Sequence, residues 1–281
     1  MIYILLPAYN EEKSIDQLFP KIDKILKGEM KVDYHIIVCN DGSSDNTGRK
    51  LEEYSKLFPI TVIEHVINRG LGETSRDLFE KAAEISNNED IIIRMDCDDT
   101  HEPSFIPNMI EKINDGFDVV IASRFVQGGG QEGLSAYRTI ISRLANIFMK
   151  VFFPINGLKE YSCGFRAYRA SAIKYAINIF GNNFIQLKGL GFTATLEKIV
   201  KLKMIGAKFG ESPFVLKYNQ KRSESKMVSS ITTFGYASLA LLYHWPWGGW
   251  KSKYKNIKVN IVIIIIPFFT ILSSNQFINY P

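Results

Sequence analysis

Residues 91–101 run Ile91-Ile92-Ile93-Arg94-Met95-Asp96-Cys97-Asp98-Asp99-Thr100-His101. Four of the first five positions are hydrophobic, a run of strand length interrupted only by Arg94, and the next four carry three carboxylates. Like charges this close repel one another strongly unless a cation sits among them. Hard oxygen ligands at a strand end suit Mg²⁺ or Mn²⁺, ions that also take diphosphate oxygens. Asp98 is the main candidate ligand. Asp96 stands second in the metal set and is better suited to orienting a ribose or the metal's waters. Asp99 is expected to point away, because adjacent residues of an extended chain face opposite sides. A solvated acidic turn would have the same composition, so the surrounding elements must decide between the two.

Outward from that stretch the same grammar repeats. Residues 2–6, 35–39, 60–66 and 119–123 are further short apolar runs. Residues 14–26 place Ile15, Leu18, Phe19, Ile22, Ile25 and Leu26 at helical spacing, and 73–85 and 104–114 also read as helices. Asp45 or Asn46 suits the cap of a helix reaching about residue 57. Strands alternating with helices predict an α/β fold with a Rossmann-like, doubly wound, mostly parallel sheet. Such sheets bind ligands beyond the carboxyl ends of their strands. Polar clusters fall there, at 7–11, 40–45 and 96–101.

Past Arg124 the pattern loosens into a glycine loop at 128–130 and an apolar, basic segment at 138–153. A helix is expected over 192–202 and strand-like pieces over 207–216. From Met227 to Trp250 there is no Lys, Arg, Asp or Glu, and lysines then follow at 251, 253, 255 and 258. The segment 231–247, with Trp245, Trp247 and Trp250 beside those lysines, suits an interfacial helix or a buried terminal one. The apolar run 259–272 contains Pro267 and is shorter than the roughly 20 residues a helix needs to span a bilayer. We therefore expect a catalytic domain over 1–226 and an interfacial or membrane-anchoring segment over 227–281.

With 22% charged and 46% hydrophobic residues the chain is globular rather than disordered. Its net charge of +5 is weighted toward the last third, which favours anionic lipid or phosphate partners; no nucleic-acid-binding motif is present. Cys39, Cys97 and Cys163 are too far apart for a disulfide framework or zinc spacing, which predicts a reducing compartment. No signal peptide precedes the first strand, so the catalytic part is expected in the cytosol.

Pro7, Tyr9, Asn10, Glu11 and Asp41 follow the first two strands, and the polar groups among them suit a nucleobase and ribose. Asn68-Arg69-Gly70-Leu71-Gly72 precedes a helix; Gly70 and Gly72 would let backbone approach an anion at the helix N-terminus.

Pro7-Ala8-Tyr9-Asn10-Glu11, Asn40-Asp41-Gly42-Ser43-Ser44-Asp45-Asn46-Thr47 and Asp96-Cys97-Asp98 together resemble family 2 glycosyltransferases of the GT-A fold. More narrowly, the chain resembles polyprenol-phosphate sugar transferases such as the dolichol-phosphate mannosyltransferases. The similarity covers roughly residues 1–230. It extends through Ala122-Ser123-Arg124-Phe125, Arg138, Ser142-Arg143, Ser162-Cys163-Gly164-Phe165-Arg166-Ala167-Tyr168-Arg169, Glu211-Ser212-Pro213 and Arg222-Ser223-Glu224-Ser225-Lys226. The resemblance implies that Arg222 and Lys226 hold the donor diphosphate and that Arg124, Arg138 and Arg166 hold the acceptor phosphate. Two positions depart from it: Asn40 replaces a usual Asp, and Thr100 stands where many relatives have Gln, a possible metal ligand.

The implied reaction moves a hexose from GDP- or UDP-hexose to a polyprenyl phosphate, dolichyl or undecaprenyl, with Mg²⁺ or Mn²⁺, at the cytoplasmic face of a membrane. A phosphate acceptor is already anionic, its second pKa being roughly 6, and needs no strong base. Asp98, Arg124, Arg222 and Lys226 then form the catalytic set. Transfer to a glycan hydroxyl would instead need a carboxylate base, for which Glu197 and Glu211 are the candidates. An inactive nucleotide-sugar-binding scaffold is the third reading.

Overall fold

A computed structural model describes residues 1–221 and 229–244. Seven strands form one sheet: β1 (Ile2–Ala8), β2 (Tyr34–Asp41), β3 (Ile60–His65), β4 (Ile91–Arg94), β5 (Val119–Ser123), β7 (Arg166–Arg169) and β8 (Phe209–Pro213). Their order is β3-β2-β1-β4-β7-β5-β8. β6 (Gly130–Glu132) and β9 (Val215–Lys217) pair separately. Ile4, Leu5, Leu6, Ile36, Ile37, Val38, Ile92 and Ile93 are all fully buried. Strands covered on both faces read as continuous apolar runs, which is why these were recognisable.

The helices are α1 (Glu12–Asp23), α2 (Thr47–Tyr54), α3 (Leu71–Ile85), α4 (Ile106–Asn114), α5 (Ala136–Phe152), α6 (Ala170–Phe180), α7 (Thr193–Met204) and α8 (Ser229–His244). α1 buries Ile15, Leu18, Phe19 and Ile22, the stripe its spacing predicts, and continues into a wider turn over Lys24–Glu29.

The chain proceeds outward from β1 through β2 to β3, then returns to place β4 on the other side of β1. That reversal opens a crevice at the carboxyl ends of β1 and β4. The α/β fold and mostly parallel sheet are as expected. The exception is β7, which runs antiparallel to both β4 and β5 and makes the sheet mixed.

No helix among the described residues is long and apolar enough to cross a membrane. α8 docks on α7: Leu239 is fully buried, and Gly235 lies where a Cβ would meet Thr193 Oγ1 at 1.9 Å. The segment expected to be interfacial is thus, through His244, joined to the catalytic body. The aromatic and lysine cluster beyond it and the apolar run 259–281 lie outside the described residues.

Candidate active site

The acidic turn after β4 sits in the crevice, and its three carboxylates have three different partners. Asp98 Oδ1 accepts from the Thr100 amide at 3.2 Å and from its hydroxyl at 2.6 Å. Asp98 Oδ2 holds the Lys221 ammonium in a direct ion pair. Thr100 therefore orients the carboxylate instead of replacing the expected Gln as a ligand. Asp96 Oδ1 takes Arg94 Nη1 at 2.7 Å. Asp99 pairs with Lys21 at 2.9 Å, a different cation from the other two, but it does so from a bend at φ +61° and not through the alternation of an extended chain.

Burial alone would raise the Asp96 carboxyl, but Arg94, His101 and Lys221 hold it down to about 2. Burial pushes the His101 imidazole below its ordinary value despite Asp96 and Asp98. His101 Nδ1 accepts from the Asp96 amide at 2.9 Å, so the remaining ring proton belongs on Nε2. Burial would lower the Lys221 ammonium, yet Asp98, Asp96 and Glu11 hold it above its usual range.

Three separated motifs meet under this turn. The His101 ring stacks on Phe165 at 5.2 Å, and Phe214 packs edge-on against both. Gly164 leaves room beside them for the Arg94 guanidinium, since a Cβ there would lie 2.0 Å from Nη1 in its present position.

On the β1 and β2 side the motif residues mainly hold loops. Asn10, at φ +53°, accepts from the Ser44 amide at 2.8 Å, and its own amide donates to Ser43 Oγ at 2.9 Å. Glu11 accepts from Ser14 Oγ at 3.0 Å. Asp41 accepts from the Arg69 and Gly70 amides at 2.8 and 2.9 Å and contacts His65 Nδ1 at 2.6 Å. Pro7 lies in β1 opposite Cys39, and Tyr9 is half-buried at the strand end.

Two donor-side expectations change in consequence. Asp41 is buried and committed to the 69–70 turn, so its oxygens are already spent. Gly72 is packed against Lys188, whose carbonyl oxygen would be 2.1 Å from a Cβ; it serves helix packing. Gly70, at φ +87°, does make the turn. Asn40 also gains a reason: its amide donates to Glu64 at 2.8 Å, where an Asp would oppose two carboxylates.

On the β5 side, the Arg124 side chain is only 6% exposed. Its Nε lies 2.8 Å from Glu160 Oε2, and its Nη2 reaches Glu160, Ser142 and Ser162. Arg124, expected at the acceptor phosphate, has its guanidinium spent on Glu160, Ser142 and Ser162. Arg138 is half-buried, over the Tyr218 ring at 5.1 Å. Arg166 contradicts its expected phosphate role: it is fully buried, and its three nitrogens donate to the carbonyls of Cys163, Thr195 and Tyr161. Arg222 and Lys226 lie outside the described residues.

The two candidate bases are also committed. Glu197 accepts from the Gln186 and Leu187 amides and pairs with Lys201 at 3.0 Å. Glu211 accepts from the Glu160 amide at 2.7 Å. Cys39 and Cys163 are buried, which pushes both thiols up to about 12 and suits packing.

Among the described residues no group of three or more His, Cys, Asp or Glu is gathered to hold a metal. Mg²⁺-type ions bound with a substrate's phosphates commonly use only one or two carboxylates. The Lys221 ammonium on Asp98 marks a cation position, so Asp98 and Asp96 fit such an ion. Lys221 was not foreseen; the only signal for it was its place just before Arg222.

A family model for glycosyl transferase family 2 matches residues 3–176. The chain is 32% identical over 236 residues to a dolichol-phosphate mannosyltransferase of Pyrococcus furiosus, covering 84% of this chain and 61% of that protein. It is 30% identical over 174 residues to an undecaprenyl-phosphate 4-deoxy-4-formamido-L-arabinose transferase of Pseudomonas fluorescens, covering 61% and 48%. The chain thus spans between about half and three fifths of the length of these relatives. The crystal structure of glucosyl-3-phosphoglycerate synthase from Mycobacterium tuberculosis, in complex with Mn²⁺, UDP and phosphoglyceric acid, superposes with TM-score 0.58 at 18% identity, covering 86% of this chain and 77% of that one. With the acidic turn at the crevice and the match running from β1 into α6, this chain belongs to glycosyl transferase family 2.

Proposed function

We propose that the protein transfers a hexose from a nucleoside diphosphate sugar to the phosphate of a polyprenyl lipid, with inversion and with a divalent metal. One observation carries this reading: at the reversal of strand order, Asp98 presents one oxygen to a cation, while Glu197 and Glu211 are spent on backbone amides. The site has the means to neutralise a departing diphosphate, and among the described residues neither candidate base is free for a hydroxyl. That pattern suits an acceptor that arrives already anionic.

Asp98, with Asp96 beside it, would hold the metal. When bound, the ion supplies positive charge to offset the negative charge on the leaving nucleoside diphosphate. Asn10, Glu11, Asp41 and Gly70 shape the pocket for the nucleoside, and Arg222 and Lys226 join as diphosphate ligands. Of Arg124, Arg138 and Arg166, Arg138 is the one most open to a lipid phosphate, while Arg124 holds Glu160.

A membrane surface is the expected third partner, with the catalytic domain on the cytoplasmic side. α5 exposes Tyr137, Ile140, Leu144, Ile147 and Val151 at intervals of three and four, with Arg138, Arg143 and Lys150 on the same helix. An exposed apolar stripe flanked by basic residues suits the headgroup boundary of an anionic bilayer. Ile231, Phe234 and Leu241 extend the exposed apolar surface onto α8.

Incubating membranes that contain the full chain with labelled nucleotide sugars, Mn²⁺ and polyprenyl phosphate, then extracting into organic solvent, tests the reading. Label in the lipid phase identifies sugar and acceptor together. Label found only in water-soluble glycan, or no turnover with any donor, rejects it.

A further inference from the structure

We propose that Lys221 is an exchangeable counter-ion: it neutralises Asp98 while the site is empty of metal and moves to the donor diphosphate when a divalent ion arrives. The inference rests on the donor reading above and adds a coupling between metal and nucleotide that no motif contains.

The geometry of Asp98 divides its two oxygens between different tasks. Oδ1 is held by the amide and hydroxyl of Thr100, within the same turn. Oδ2 is the oxygen turned toward a cation, and Lys221 occupies it. An ammonium and a divalent ion cannot share that oxygen without strong like-charge repulsion. Metal entry therefore requires the lysine to leave.

Lys221 is placed so that it can leave. It follows a single turn, Tyr218–Gln220, and is outside any helix or strand. It lines a polar cleft of about 310 Å³ together with Gln17, Lys21, Asp99, Asn219 and Gln220. Among the described residues Asp98 is its ion-pair partner. The neighbouring pair is built otherwise: Lys21 belongs to α1, and it is held by Asp99 at 2.9 Å and by Glu102 at 3.5 Å. One aspartate of the turn thus has a fixed lysine and the other a releasable one.

A nucleoside diphosphate changes the balance, because it offers the displaced ammonium a new anionic partner. Metal binding alone must strip Lys221 from Asp98, whereas metal binding with diphosphate transfers it. The two ligands should therefore strengthen each other, and by reciprocity equally in both directions.

The test is Mn²⁺ binding by the full chain, read from the electron paramagnetic resonance of free Mn²⁺ at constant ionic strength, with and without GDP or UDP. In the wild-type protein, diphosphate should tighten Mn²⁺ roughly tenfold or more, within the usual range of coupling between sites. Lys221→Met should bind Mn²⁺ alone roughly tenfold more tightly than wild type and show a smaller enhancement by diphosphate, keeping the part that comes from direct ligation of the ion by phosphate oxygens. Lys221→Arg should keep the wild-type pattern. Lys221→Gln repeats the neutral variant should the Met form melt at a lower temperature.

A lysine that merely staples the turn predicts the opposite sign, since its loss would loosen the site. Neutral variants that bind Mn²⁺ no tighter than wild type overturn the exchange while leaving the donor reading intact. Wild-type protein that takes up no Mn²⁺ even with either diphosphate overturns both.

Discussion

The carboxylates at the carboxyl ends of β2 and β4 lie on the same edge of one sheet, yet they are neutralised by different means. Asp41, the last residue of β2, takes two backbone amides and the His65 ring. Asp96 and Asp98, after β4, take the side-chain cations Arg94 and Lys221. Backbone amides cannot be withdrawn without changing the course of the chain, so Asp41 is a fixture of the 69–70 turn. A lysine on a single turn can be replaced by another cation. The contrast teaches that an acidic residue in a strand-end motif is functional or structural according to what it is paired with.

The largest expected effect is on the replaceable side. Asp98→Asn should lower sugar transfer by about 10³-fold or more, worth roughly 4 kcal/mol in the barrier. Its urea midpoint should stay near that of wild type. A variant that transfers normally would erase the distinction between the two ends.

Arg124 tests whether the buried pair beside β5 behaves as fixture or as exchangeable charge. Arg124→Met leaves Glu160 buried without its cation and should cost about 3 kcal/mol of folding stability. Burial alone would raise the Glu160 carboxyl, but Arg124, Ser162 and Asn146 hold it below its ordinary 4.5. A depressed carboxylate contributes stability that is fully present above that value and is lost as pH falls through the lower folded one. Denaturation midpoints of the two proteins should therefore differ most above about pH 4.5 and converge below it. A gap that stays constant into acid would show that the pair is not its source.

Asp41→Asn should cost about 2 kcal/mol, because an amide cannot accept as fully from both turn amides and the imidazole. The matching signature is a raised donor KM with a smaller change in kcat, measured beside the thermal midpoint. Smallest is Gly72→Ala, at about 1–2 kcal/mol, from a Cβ driven toward the Lys188 carbonyl. A stability loss with unchanged donor affinity would place Gly72 with the fixtures.

Several errors of expectation share one cause. Arg166 reads as a phosphate ligand because arginines usually reach solvent, yet this one is buried among carbonyls from two separate segments. β7 carries no apolar run of its own; it exists because Arg166–Arg169 fits between β4 and β5. Asn40 looks like a lost carboxylate until Glu64 is seen beside it on β3.

By itself the sequence determined the apolar strands around β1 and β4, the helices between them, and the acidic turn where the crevice opens. These follow from burial on both sheet faces and from charge density within a few residues, both local properties of the chain. Only the tertiary structure decided which carboxylates are spent and which can still take a cation. Lys221 reaches Asp98 across 123 positions, and the partner of a charge is chosen by what the folded chain brings within hydrogen-bond reach.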